Sequence, residues 1–135
     1  MLPGPPSVEW RVPSEPASVP VLRRRLRSWL HAAGVDPDRA YDLLLAACEA
    51  ATNAIEHAQA PTEPFIEVTG VVASGSVRIV VRDYGQWRER VPSTDRGRGS
   101  TLMSAFADIT ATPGPEGTTV VINSVLTGDR SPAEA

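Results

Sequence analysis

Glu49-Ala50-Ala51-Thr52-Asn53-Ala54-Ile55-Glu56-His57 lies within a long apolar segment, and its polar positions decide how the chain is read. A carboxylate and a carboxamide four residues apart, among so many alanines, are more than an amphipathic helix needs. At about 100° per residue, the segment from Asp36 to Ala58 aligns Leu44, Cys48, Ala51 and Ile55 in one stripe. Leu43, Ala47, Ala50 and Ala54 broaden it into a core-facing surface. Glu49, Asn53 and Glu56 gather on another side, at spacings of four and three. Taken alone, that trio is also what a solvated helix face carries. Oxygen-bearing side chains on a rigid helix can equally hold a hard cation and a hydroxyl at fixed distance, and Mg²⁺ takes few protein oxygens when phosphates complete its shell.

Three glycine-bearing segments downstream bear on that choice. Val77 to Arg82 alternates as a strand does, with Val77, Ile79 and Val81 on one side, and ends in Asp83-Tyr84-Gly85. There an acidic acceptor meets a residue that lets the backbone turn or approach a ligand closely. Asp95-Arg96-Gly97-Arg98-Gly99-Ser100 leads into Thr101 to Phe106, which reads as a short helix. Unpaired N–H groups at a helix start reached through a Gly-x-Gly turn suit phosphate oxygens. Gly117-Thr118-Thr119-Val120 then opens an apolar strand. Each segment is common by itself, and their order and spacing carry the information.

In that order and spacing the chain resembles the GHKL family of ATP-binding domains, and within it the anti-sigma-factor serine kinases of the SpoIIAB and RsbW type. Glu49-x-x-x-Asn53 with Ala54 and His57 resembles the N box, Asp83-x-Gly85 the G1 box, Gly97-Arg98-Gly99 the G2 box and Gly117-Thr118 the G3 box. The resemblance runs from about residue 8 to residue 125. It implies that Asp83 accepts a hydrogen bond from the adenine amino group, with Thr118 in support. Asn53 would ligate Mg²⁺, and Glu49 would be the general base toward a partner serine. Gly85, Gly97 and Gly99 would let the loop fold over the triphosphate. Arg98 between them reads either as a γ-phosphate contact or as a solvated lid arginine, the commoner case. The implied cofactors are ATP and Mg²⁺. The implied partners are a STAS-type anti-anti-sigma protein, a sigma factor and a second copy in a homodimer.

Departures from the family pattern fall in the lid. Ser100-Thr101 stands where a leucine is common, and Gln86-Trp87 replaces a second glycine. The stretch from Gln86 to Arg96 is short for an ATP lid, so weaker enclosure of nucleotide is expected. Two other readings therefore stay open: a nucleotide-sensing binding module without catalysis, and the kinase-like domain of a larger phosphatase–kinase fusion.

Composition sets the bounds. The chain has 135 residues, 41% of them hydrophobic, which suits one domain with one core. A net charge of −3 offers no broad basic field, so nucleic acid is not expected as a partner. All 13 basic residues are arginine, a bias of the kind GC-rich bacterial genomes impose, and phosphate contact by lysine is excluded. The single cysteine, Cys48, forbids an internal disulfide and reads as a small buried hydrophobe. No segment is apolar over the ~18 residues a bilayer span requires, and no signal-peptide pattern opens the chain, so a cytoplasmic protein is expected.

Residues 1–7 and 127–135 are expected to be flexible tails around an ATP-binding domain at 8–126. Within that domain a strand is expected at Val8 to Val12 and a first helix at about Ala17 to Ala33, ended by Gly34, with Pro37 opening the second. Strands follow at Phe65 to Val72, Val77 to Arg82, Ile109 to Thr112 and Thr118 to Val125. Helices first and strands afterwards argue an α+β two-layer sandwich, a mostly antiparallel mixed sheet with helices on one face. The arginines at 23, 24, 25 and 27 read either as a solvated face or as a dock for an acidic partner or a dimer.

Overall fold

Two helices lie across one face of a five-stranded sheet in the computed structural model, which describes residues 6–59, 61–87 and 107–126. The elements in chain order are β1 (Ser7–Pro13), α1 (Ser18–Ala32), α2 (Pro37–His57), β2 (Ala58–Gln59), β3 (Phe65–Ala73), β4 (Ser76–Arg82), β5 (Gln86–Trp87), β6 (Asp108–Gly114) and β7 (Gly117–Val125). The main sheet runs β1-β3-β4-β7-β6, and β2 with β5 forms a separate two-stranded ladder. Among the described residues all the pairings are antiparallel, in keeping with the expected mostly antiparallel sheet with helices on one face. Two-residue turns permit this: Ser74 and Gly75 both have positive φ between β3 and β4, and the β6–β7 hairpin closes with Gly114 opposite Gly117.

The junction between the two helices is set by local chemistry. The Asp36 side chain accepts the Arg39 N–H at 2.9 Å and Pro37 occupies the first turn, so α2 starts with a filled cap. Gly34, at φ +80°, follows the end of α1 and lets the chain reverse toward α2.

The core lies between the two layers. Its largest fully buried side chains are Leu22, Leu26 and Leu30 from α1, Leu43 from α2, and Ile66, Val68, Val77, Ile79, Val81 and Ile122 from the sheet. On α2 the buried line is Leu43, Ala46, Ala47, Ala50, Ala51 and Ala54. The expected stripe of Leu44, Cys48 and Ile55 is only partly buried, so the helix is turned slightly from that reading. The alanines set that rotation, because small side chains let α2 settle close against β4 and β7.

Gly70 on β3 marks the tightest contact between the layers. A Cβ there would lie 2.6 Å from two atoms of the Trp29 indole, which rests directly on the glycine. Gly70→Ala is expected to cost about 1–3 kcal/mol, read from urea midpoints at unchanged slope. In a Trp29→Phe background the same substitution should cost less. Strict additivity of the two changes would show that the indole is not the obstacle.

Candidate functional site

Asp83 continues the inward-facing alternation of β4 and is 2% exposed, which puts a carboxylate where the strand pattern would bury an aliphatic side chain. Such a group needs fixed donors. Its Oδ1 accepts the Gly85 N–H at 3.1 Å and the Thr118 N–H at 3.1 Å, while the Asp83 N–H donates to the Thr118 carbonyl at 3.0 Å. The end of β4 and the start of β7 are thereby clasped in both directions. Thr118 is itself 4% exposed.

Gly117 makes that clasp sterically feasible. Its φ is +147°, and a Cβ would fall against the Asp83 carbonyl and 3.0 Å from the Tyr84 Cα. Only glycine lets the two backbones cross this closely.

A second set of contacts holds the same turn from the opposite face of the sheet. The Tyr84 hydroxyl donates to Glu67 Oε1 at 2.7 Å, and Arg11 Nε donates to Glu67 Oε2 at 2.9 Å. Phe65 meets Tyr84 edge-on at 5.5 Å, the Arg82 guanidinium lies 4.8 Å from the Tyr84 ring centre, and Arg11 lies 4.7 Å from that of Phe65. The phenol's hydrogen bond holds the Glu67 carboxyl below its ordinary value, with Arg11 adding to the effect and burial opposing it. Burial, then the neighbouring Glu67, pushes the Tyr84 phenol up. The Tyr84 carbonyl accepts the Thr62 N–H at 2.8 Å, so the segment after α2 is tied to this turn as well.

The connection to α2 is the β2–β5 ladder. Ala58, directly after the helix, pairs with Trp87, and Gln59 with Gln86, the residue directly after the Asp83 to Gly85 turn. Gln86 and Trp87, read from sequence as the start of a lid, are therefore strand residues. On α2 itself, Glu49 is exposed and Asn53 half-buried one turn later. Asp83, Gly85 and Thr118 are thus brought into one hydrogen-bonded unit, and Glu49 and Asn53 share the helix whose end is tied beside it. Gly97, Arg98 and Gly99 lie outside the described residues, as does the helix expected at Thr101 to Phe106.

Sequence reasoning passed over Tyr84, Glu67 and Thr62, and named Gly117 only as part of a motif. Tyr84 and Glu67 carry no signal along the chain, because their contact depends on the register that sets Glu67 opposite Arg82. Gly117, as a glycine immediately before a buried strand, did carry one.

Loss of the Tyr84 hydroxyl tests this network. Above the ordinary carboxylate pKa the lowered value of Glu67 favours the folded state, and that contribution is lost as pH falls through its folded-state value. Tyr84→Phe should therefore cost about 1 kcal/mol at pH 7, and the gap from wild type should close as pH falls below the ordinary carboxylate range. Urea titrations across that range read it. A gap that stays constant into acid would show that the bond to Glu67 is not its source.

Comparison with known proteins accords with this geometry. A family model described as Histidine kinase-like ATPase domain matches residues 12–123. The Serine-protein kinase RsbW of Bacillus velezensis (strain DSM 23117 / BGSC 10A6 / LMG 26770 / FZB42) is 26% identical over 140 residues, covering 91% of this chain and 88% of that protein. The same figures hold for the Serine-protein kinase RsbW of Bacillus subtilis (strain 168). The crystal structure of the RsbU and RsbW domains of Rv1364c from Mycobacterium tuberculosis is similar with a TM-score of 0.73 and 25% identity. It covers 90% of this chain, which spans 33% of that one. The histidine kinase domain from the Erythrobacter litoralis EL346 blue-light activated histidine kinase shares the fold, with a TM-score of 0.52 at 21% identity over 85% of this chain and 62% of that one. The match runs from the end of β1 almost to the end of β7 and takes in Glu49, Asn53, Asp83, Gly85 and Thr118, and the chain belongs to the histidine kinase-like ATPase domain family, where it is similar to the RsbW-type anti-sigma-factor kinases.

Proposed function

We propose that the chain is an ATP-dependent serine/threonine protein kinase that phosphorylates a STAS-type anti-anti-sigma protein and sequesters a sigma factor. The unphosphorylated antagonist would displace the sigma factor. The observation that carries the reading is the buried Asp83 carboxylate, oriented by the Gly85 and Thr118 amides. A carboxylate fixed this rigidly in an apolar layer suits recognition of an amino group such as that of adenine, and the donor set fits the nucleotide.

The remaining roles follow from chemistry and position. Thr118 supports the base from β7, and Gly85 keeps the turn open to it. Asn53 offers a neutral carbonyl oxygen suited to Mg²⁺. Bound Mg·ATP would supply the phosphoryl group and the cationic charge that offsets its oxygens. Glu49 takes the proton from the partner's serine hydroxyl, and its exposure is what a base serving a protein substrate needs. Gly97, Arg98 and Gly99, which lie outside the described residues, would serve the phosphates, the glycines through their small size and Arg98 through its charge.

On this reading residues 8–126 form the catalytic domain, and the protein works in the cytoplasm as a homodimer. Among the described residues no helix is long and apolar enough to cross a membrane. One observation favours a second reading. The similar Mycobacterium structure carries RsbU and RsbW domains on one chain, of which this chain spans 33%. The chain would then be the RsbW-like part of a larger regulator.

Calorimetric titration of ATP with and without Mg²⁺, followed by phosphotransfer to a purified STAS protein, tests the proposal. Asn53→Ala should weaken the Mg²⁺-dependent binding. Glu49→Gln should keep nucleotide affinity and lose phosphotransfer by about 10²-fold or more. Absence of binding up to about 1 mM nucleotide, or full phosphotransfer by Glu49→Gln, would sink it.

A further inference from the structure

Asp83 is held from the core side by two amides, and the residue beside it is held from the other side of the sheet. Alternation along β4 turns Asp83 inward and sends Arg82 and Tyr84 outward. On that outer face the two oxygens of Glu67 are engaged by separate donors, the Tyr84 hydroxyl at 2.7 Å and Arg11 Nε at 2.9 Å. The Glu67 side chain is 16% exposed and that of Arg11 60%. A carboxylate bonded in this way cannot rotate without losing a charge-assisted bond, so it holds the phenol at a fixed point above β3. Arg82 lies over the Tyr84 ring and also reaches Glu116 Oε1 at 3.7 Å, in the turn that leads into Gly117 and Thr118.

These contacts matter because strand pairing stops short of the turn. The last β3–β4 pair is Glu67 with Arg82, and the last β4–β7 pair is Arg82 with Thr119. Beyond it the Asp83 to Gly85 backbone depends on individual bonds. The Tyr84 carbonyl accepts the Thr62 N–H at 2.8 Å and the Thr62 hydroxyl at 3.3 Å, while Gly117 passes close to the Tyr84 Cα. One peptide separates Tyr84 from the Gly85 N–H that bonds Asp83 Oδ1. Displacing the Tyr84 side chain therefore moves a donor that orients the buried carboxylate. The Arg82 pair with Glu116 is exposed and long, so it adds little to this hold.

We propose that Tyr84 and Glu67 are positioning residues for base recognition: from the outer face of the sheet they hold the turn that aims Asp83 at the 6-amino group, and so set the preference for adenine over a purine lacking that group. The inference rests on the reading of Asp83 as the adenine acceptor. A fixed buried acceptor rejects a ligand without the matching donor, because the acceptor is then left unpaired. A turn that can yield relaxes that penalty, and it also makes the correct ligand bear the cost of ordering the site. Loss of the outer contacts therefore weakens ATP and narrows its advantage, although neither residue touches the nucleotide.

The test compares Mg·ATP with the magnesium complex of purine riboside triphosphate, which carries hydrogen in place of the 6-amino group. Calorimetry on the full chain gives both affinities for wild type, Tyr84→Phe, Glu67→Ala and the double variant, under conditions where each is folded. Arg78→Ala is the control, since it breaks a bond to Asn123 on the same outer face, away from the turn. Tyr84→Phe and Glu67→Ala should each weaken ATP about fivefold and the analogue less than about twofold. The double variant should be no worse than either single one, because both remove the same bond. In the nucleotide-free chain the Gly85 and Thr118 amides should exchange hydrogen faster in Tyr84→Phe than in wild type. Equal weakening of both nucleotides, unchanged exchange at Gly85, or a loss of preference as large in Arg78→Ala would overturn the proposal. Wild type that fails to prefer ATP over the analogue would instead remove the adenine reading of Asp83, and the proposal with it.

Discussion

A carboxylate inside the apolar layer is the constraint around which this molecule is arranged. Asp83 occupies a position that the alternation of β4 assigns to the core, and burial of its charge is tolerable only with donors already in place. Both named donors are backbone N–H groups, from Gly85 two residues on and from Thr118 on the neighbouring strand. Such donors cannot rotate away, so the carboxylate has little freedom to reorient. The register of β4 with β7 and the positive φ of Gly117 both serve this contact.

The surrounding structure fixes the same turn from several directions. Glu67 and Tyr84 hold it across the solvent face of the sheet, Thr62 bonds the Tyr84 carbonyl, and β5 pairs with β2 at the end of α2. These ties link the helix carrying Glu49 and Asn53 to the sheet carrying Asp83. A site assembled from two layers needs such a linkage, because a helix packed mainly through alanines has few large side chains to fix its position along its axis.

Much was legible along the chain. Period-3.6 and period-2 patterns located both helices and the strands of the main sheet to within a residue or two, because those elements are amphipathic and the pattern reports which side is buried. Gly34, Asp36 and Pro37 marked the helix boundary through their own backbone chemistry. Short elements escaped notice. β2 and β5 are two residues each and have no period to detect, and they exist because the fold brings their backbones together. The rotation of α2 was misjudged by less than half a turn, since alanine, cysteine and leucine are all apolar and only packing against the sheet ranks them.

By itself, then, the sequence determined the α+β layering, the helix limits and the residues with unusual chemistry, because each depends on local periodicity or on the intrinsic conformational range of glycine and proline. Only the tertiary structure decided that Asp83 would meet Thr118, that Gly117 must be glycine, that Tyr84 would bond Glu67, and that Cys48 would face a groove instead of the core. Those contacts join residues distant in the chain through strand register and helix rotation, and both are settled by the packing of the two layers against each other.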